Sequence, residues 1–339
     1  MKSIAGTLGA PFPWFGGKSN ACELVWSLLG NPENFVEPFC GSAAMLLGRP
    51  DDGGVETIND FDCLVANFWR AIALDPNEVA HHADWPCNET DLFARHSWLV
   101  RQKDALRAAL TDPDYYDAKI AGWWCWGACN WIGSGWCAGS GPWVWDGEQI
   151  VDSRKLPHLS AGRGINRQLP ALSGIPGALG RGINRKTDQP RREYIHEWFN
   201  LLHDRLRDVR VACGDWTRVL TDSVTVRHGL TGVFLDPPYD KGAMDYGDGG
   251  MGLGISAAVR KWCAANGDNP MMRIVLCGHS GEHDDLLRTG WTEHKWTARK
   301  GYALTDEAVA NSASETVWAS PHCIARVIPQ GDLFSWMVA

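Results

Sequence analysis

The 339-residue chain is long enough for one large or two modest domains, and its 45 % apolar and 21 % charged residues exclude a disordered or fibrous protein. No apolar run reaches the ~18–20 residues of a membrane helix, so no membrane partner is expected. The net charge of −8 argues against a surface that is basic throughout, although residues 154–192 carry nine Lys or Arg against one acid, Asp188. An acidic body with one basic segment suits an enzyme that grips a polyanion at one place. The N-terminus, MKSIAGTLGAPFPWFGG, lacks a signal-like apolar stretch, so a cytoplasmic protein is expected. Reduced thiols are expected for the scattered cysteines. Cys125, Cys129 and Cys137 lack the paired spacing of a zinc knuckle, so no metal is expected.

In chain order, Asn34 to Glu37 reads as a short strand ending in a turn, Pro38 to Gly41. Val55 to Ile58 reads as a second strand ending at Asn59-Asp60. A helix is predicted over Leu64–Leu74, stopped by Asp75-Pro76, and helical spacing returns at 92–109. Residues 122–145 interleave tryptophans with glycines, which suits either core packing or stacking on bases. From 151 to 192 the chain is rich in Gly, Pro and Arg and holds a repeat. Leu156–Ser160 is followed by Gly162-Arg163-Gly164-Ile165-Asn166-Arg167, and Leu169–Ser173 by Gly180-Arg181-Gly182-Ile183-Asn184-Arg185. Two copies suggest a duplicated loop or hairpin.

Helical periodicity at 193–206 precedes strand-like runs at Val209–Cys213, Gly232–Leu235 and Arg273–Cys277. A Gly- and Asp-rich stretch, 240–254, and a helix near 255–265 lie between the last two runs. Glu315–Ala319 and Cys323–Val327 are expected as a closing pair of strands. Strand-helix alternation at both ends predicts one parallel sheet interrupted by an insertion.

Three motifs carry chemistry. Asp236-Pro237-Pro238-Tyr239 follows the apolar run Val233-Phe234-Leu235 and so sits at the carboxyl end of a strand, where open α/β sheets bind ligands. An exocyclic amine is a poor nucleophile because its lone pair is delocalised. The Asp236 carboxylate and Pro237 carbonyl form an acceptor pair for its two hydrogens, two prolines stiffen the backbone, and Tyr239 offers a flat face. The second motif is Phe35-Val36-Glu37-Pro38-Phe39-Cys40-Gly41-Ser42, a strand, an acid and a small-residue turn, with Asp60 after the next strand in the place of a ribose-binding acid. The third is Pro11-Phe12-Pro13-Trp14-Phe15-Gly16-Gly17-Lys18-Ser19. It ends like a phosphate-binding loop but has Phe12 where that loop needs glycine, and no strand before it.

Together these motifs resemble the Dam-like N6-adenine-specific DNA methyltransferases, of phage type and α-group motif order. The resemblance covers about 1–75 and 205–325. It includes the Asn59-Asp60 acid, a Gly214-Asp215 element and the run Glu315 to Pro321, and it departs at Ala43, where the family has glycine. It implies a Rossmann-like S-adenosylmethionine-dependent methyltransferase sheet, seven strands with one antiparallel. The catalytic domain would occupy 1–78 and 205–339, with a target-recognition region inserted at 79–204. It further implies that Trp14, Gly17, Lys18, Asp60 and Asp236 contact the cofactor. Glu37, Phe39 and Gly41 would line its methionine end, and Asp215 its adenine.

The function expected is methyl transfer to adenine N6 in duplex DNA by base flipping and direct transfer. Asp236, Pro237, Pro238 and Tyr239 are the catalytic residues, and Arg163, Arg167, Arg181 and Arg185 contact phosphates. The rivals are an RNA-adenine or cytosine-N4 methyltransferase and a non-catalytic DNA-binding protein on the same scaffold.

Overall fold

Phe35 and Val36 are neighbours on one short strand, both fully buried, and they belong to opposite cores. Successive side chains of a strand point to opposite faces, so this strand is covered on both sides. The computed structural model describes residues 8–14, 18–51, 53–131, 136–137, 143–145, 150–152, 182–184, 188–238, 254–296 and 315–324. The strands are β1 (Asn34–Glu37), β2 (Val55–Asp60), β3 (Trp143–Trp145), β4 (Ile150–Asp152), β5 (Val209–Cys213), β6 (Thr231–Leu235), β7 (Met272–His279), β8 (Thr292–Lys295) and β9 (Glu315–Ala319). The helices are α1 (Cys22–Leu29), α2 (Ala44–Leu47), α3 (Cys63–Leu74), α4 (Pro76–Ala83), α5 (Glu89–Ala109), α6 (Ala118–Asn130), α7 (Arg191–Leu206) and α8 (Ile255–Asn266).

Seven strands form one sheet in the order β5-β2-β1-β6-β7-β9-β8. Its neighbours run parallel except at β9, which is antiparallel to both β7 and β8. This is the mixed α/β, mostly parallel sheet that the alternation predicts, and its seven strands, Rossmann-like order and one antiparallel strand are those that the resemblance implies. Strands β3 and β4 make a separate antiparallel hairpin.

Period-two alternation sorts the strand side chains between two cores. Phe35, Ile58, Phe234, Val275 and Val317 face α1, α3 and α7. Val36, Val233, Leu235, Ile274, Leu276 and Trp318 face Val259 and Cys263 of α8 and the short 3-10 helix Trp216–Val219. The first core continues outward through α3 into α4, α5 and α6.

Capping side chains set the helix starts. Asp62 accepts from the Leu64 N–H at 2.9 Å, Asn88 from Asp91 at 2.7 Å and Asp117 from Ile120 at 2.7 Å. Asp75-Pro76 ends α3 as predicted, and it also starts α4. Asp75 accepts from the Glu78 N–H at 3.2 Å, and Pro76 occupies a first-turn position that needs no N–H.

Part of the tryptophan-rich segment is helical. Trp124 and Trp126 of α6 are buried, and Trp124 meets Phe12 edge-on with ring centroids 4.7 Å apart. Gly122 lets α6 lie against α4, where a Cβ would come within 2.4 Å of the His82 Cβ. Of the duplicated segment, only Gly182–Asn184 is described. Its Ile183 is fully buried, with its N–H on the Pro11 carbonyl at 2.9 Å. Asn184 donates to the Cys129 carbonyl at 3.2 Å.

The closing strands differ from expectation. The outer partner of β9 is β8, not Cys323–Val327; Cys323 and Ile324 lie in the turn region after β9, and 325–327 fall outside the described residues. Strand β8, Thr-Glu-His-Lys, is a mostly exposed edge whose polar sequence carries no apolar signal.

A buried charge cluster ties β2 to α2 and α7. Glu56 takes Arg49 at 3.0 Å and Arg205 at 2.6 and 2.8 Å. The second guanidinium nitrogen of Arg49 reaches the Pro32 carbonyl at 2.7 Å, and that of Arg205 the Leu46 carbonyl at 3.0 Å. Removing one partner of such a cluster strands the others without compensation. Glu56→Gln, which keeps the shape and removes the charge, should cost about 3–5 kcal/mol in urea unfolding. A loss below about 1 kcal/mol would show that the two arginines find other partners.

Candidate functional site

The direction of strand addition reverses between β1 and β6, because β1 leads out to β2 and β5 while β6 leads to β7. Side by side, two parallel strands whose connections leave in opposite directions open a crevice at their carboxyl ends. The residues that emerge there are Glu37-Pro38-Phe39 from β1 and Asp236-Pro237-Pro238 from β6.

On the β6 side, Asp236 meets Lys18. The lysine Nζ lies 3.2 Å from the Asp236 carboxylate and 3.2 Å from that of Glu315, the first residue of β9. Lys18 is 4 % exposed. Burial pulls its pKa down, but the nearby charge of Asp236, with Cys277 and Glu315, outweighs that and raises it, so the ammonium stays protonated. Burial raises Glu315 above the usual carboxylate range, with Lys18 opposing. Glu315 enters through topology. β9 runs against the parallel strands, so its first residue arrives at their carboxyl edge, opposite His279 at the end of β7. In the sequence Glu315 is simply the start of a terminal strand.

On the β1 side, the turn is tied to its neighbours by Asn59 and Asp60. The Asn59 side chain donates to the Pro38 and Gly214 carbonyls, both at 2.9 Å, and the Asn59 backbone carbonyl accepts from the Cys40 N–H at 2.9 Å. The Asp60 carboxylate accepts from the Gly41 and Asp62 N–H groups, each at 2.9 Å. Trp69 donates from its indole to the Gly41 carbonyl at 2.8 Å. Gly41 has φ +43° and the Trp14 ring lies against it, so that a Cβ would sit 2.2 Å from the Trp14 Nε1. Trp14, Gly41 and Asp60, far apart in sequence, are thus neighbours. Ala43, where the resembling family has glycine, takes the left-handed conformation at φ +50°, which glycine adopts without the Cβ strain.

Phe39 stacks on Trp216, with centroids 6.1 Å apart and planes 29° from parallel. Asp215 caps the short helix Trp216–Val219 by accepting from the Thr217 N–H at 2.9 Å and from the Thr217 hydroxyl. Asn59 and Trp216 enter the sequence reading only as neighbours of the acids Asp60 and Asp215, and Trp69 carries no motif. Their roles appear when the loops after β1, β2 and β5 meet.

Glu37 lies differently from an open cofactor-facing acid. It is 2 % exposed, and its carboxyl turns to the start of α2, where the Met45 and Leu46 N–H groups reach it, the latter at 3.1 Å. Gly17, Tyr239, Arg163, Arg167, Arg181, Arg185 and most of the 240–254 stretch fall outside the described residues. Pro237 is buried and Pro238 half-buried. All eleven cysteines are free thiols, and among the described residues no group of three His, Cys, Asp or Glu is placed to hold a metal ion. No described helix is long and apolar enough to cross a membrane. No protein-family model matches the chain, and no curated protein matches it.

Burial pushes Glu37 from the ordinary 4.5 to about 8, against the two N–H groups that favour its charged form and with repulsion from Asp236 and Glu56. The folded state therefore holds this proton more tightly than the unfolded one. Its contribution to stability is complete below about 4.5 and is lost as the pH rises to about 8. Glu37→Gln stays neutral and should remove that fall. Urea unfolding of both proteins at several pH values in this window should show their stability difference changing by up to about 1.4 kcal/mol per pH unit. A constant difference would mean that the carboxyl is ionised throughout.

Proposed function

We propose that the chain is a site-specific DNA adenine methyltransferase that carries a methyl group from S-adenosylmethionine to the N6 amine of a flipped adenine. The observation that carries this reading is the position of Asp236 and Pro237 at the carboxyl end of β6, across the crevice from the β1 turn, with the Lys18 ammonium 3.2 Å from the Asp236 carboxylate. The sheet order, with β9 antiparallel near one edge, supports it.

S-adenosylmethionine would supply a methyl group already activated on a sulfonium. The described residues fit such a cofactor. The half-exposed Asp60 carboxylate at the end of β2 would hold the ribose hydroxyls, Asp215 would meet the adenine, and Phe39, stacked on Trp216, would line the methionine end. Glu37, turned to α2, would keep the β1 turn in shape beneath the methionine end. Trp14 and Lys18 bring the N-terminal segment to the same place.

The Asp236 carboxylate and Pro237 carbonyl would accept the two hydrogens of the exocyclic amine and draw its nitrogen toward a tetrahedral shape. Asp236 would take the proton that the amine gives up on methylation. Positioning and charge supply the catalysis. The 79–204 region would recognise the target, with α4, α5 and α6 built on the same core as the sheet. The anchored Gly182–Asn184 would present the flanking Arg181 and Arg185 to phosphates.

Asp236→Ala should abolish tritiated-methyl transfer to duplex DNA while leaving the fold intact by circular dichroism. Transfer at the wild-type rate would sink the assignment. Methylated cytosine or RNA as the product would select one of the rival substrates.

Asp60→Ala should weaken cofactor binding in calorimetry roughly ten- to hundredfold, the equivalent of a lost charge-assisted hydrogen bond at about 1.5–3 kcal/mol. An unchanged dissociation constant would show that another group holds the ribose. No binding by the wild-type protein would favour a non-catalytic scaffold.

A further inference from the structure

Glu315 has no part in the chemistry described so far, yet it shares a buried ammonium with the proposed catalytic carboxylate. Lys18 Nζ is 3.2 Å from Asp236 and 3.2 Å from Glu315, whose side chains are 21 % and 12 % exposed. Resting on the methyl-transfer proposal above, we propose that Glu315 is a positioning residue that acts through Lys18, fixing the ammonium between β6 and β9 so that Asp236 keeps its acceptor oxygen directed at the substrate amine.

The physical case begins with the lysine. An ammonium has three donors on a four-carbon stem with many rotamers. Paired with Asp236 alone, it would neutralise that carboxylate and remain free to swing with it. A second anion on a separate strand changes both conditions. Glu315 is held by the antiparallel ladder opposite His279, and its carbonyl accepts from the Trp296 N–H at 3.4 Å. Lys18 itself begins the short helix Lys18–Ala21 that runs into α1. The ammonium is thereby drawn to two points set by two strands. The cluster of two carboxylates and one ammonium carries one net negative charge when all three are ionised. During transfer, positive charge moves from the sulfonium to the amine nitrogen. A site of net negative charge favours that movement more than a neutral Lys–Asp pair would.

The placement also separates Glu315 from cofactor binding. Phe39, Asp60 and Asp215, proposed to hold the methionine end, ribose and adenine, lie at the carboxyl ends of β1, β2 and β5, whereas Glu315 lies beyond β6 and β7 in the sheet order and reaches the cofactor side through Lys18. Loss of its charge should therefore act on turnover rather than on cofactor affinity.

The test uses the full-length chain with S-adenosylmethionine and duplex DNA, and four proteins: wild type, Glu315→Gln, Lys18→Met and the double variant. Glu315→Gln should lower kcat about tenfold or more with cofactor affinity within about twofold, and Glu315→Asp should recover part of the loss. In the Lys18→Met background, Glu315→Gln should cause no further loss of kcat, because the path through the lysine is already gone. Thermal unfolding of the four proteins should be non-additive, as expected for side chains in contact. An unchanged kcat in Glu315→Gln, an equal loss in affinity and kcat, or additive effects in both rate and unfolding would each overturn the proposal. If the wild-type protein transfers no methyl group, the methyltransferase reading fails. Additive unfolding temperatures would then separately refute the Lys18–Glu315 link.

Discussion

A lysine ammonium with 4 % of its surface exposed persists only beside anions, and the position of Lys18 is the constraint on which the rest of the crevice depends. To supply those anions, the N-terminal segment must reach the carboxyl ends of β6 and β9 together. That requirement brings Trp14 across Gly41 and seats Phe12 in the aromatic cluster of Phe68, Trp69 and Trp124. One buried charge therefore links the first residues of the described chain to its last strand.

The opposite wall of the crevice is organised by backbone hydrogen bonding. Three loops, after β1, β2 and β5, would each leave polar backbone groups near the core. Asn59 satisfies the Pro38 and Gly214 carbonyls, and Asp60 satisfies the Gly41 and Asp62 N–H groups. The same side chains that complete the folding of the loops shape the place where a ribose is proposed to bind. The left-handed Ala43 belongs to this wall. Its Cβ strain is tolerated where the chain turns from β1 into α2 above the buried Glu37.

Gly182–Asn184 join the core between α6 and the chain before Trp14. The Pro11 carbonyl accepts the Ile183 N–H, and Gly182 has room only because it lacks a Cβ, which would otherwise lie 2.2 Å from that carbonyl oxygen. Gly182–Asn184 are therefore fastened to the stretch of chain that leads to Trp14 and Lys18.

Much of this was legible in the sequence. Short strand-like runs ended by turn residues located β1, β2, β5, β6, β7 and β9, and the signal is plainest in β6 and β7, which are buried on both faces and largely apolar. Asp75-Pro76 was legible as the end of α3, while Asp62, Asn88 and Asp117 showed themselves as caps only in the structure. Asp60 and Asp236 stood out because each follows such a strand directly. Tertiary structure decided the rest. The edge strand β8 is polar, since only one neighbour and little core touch it, and so it left no pattern. Glu37, expected to line the methionine end of a cofactor, is buried with its carboxyl turned to α2, because α2 folds back over it. Glu315 joins Asp236 only because β9 is antiparallel. Strand direction is set by the path of the whole chain, and no local run of residues encodes which end of a strand will meet the crevice.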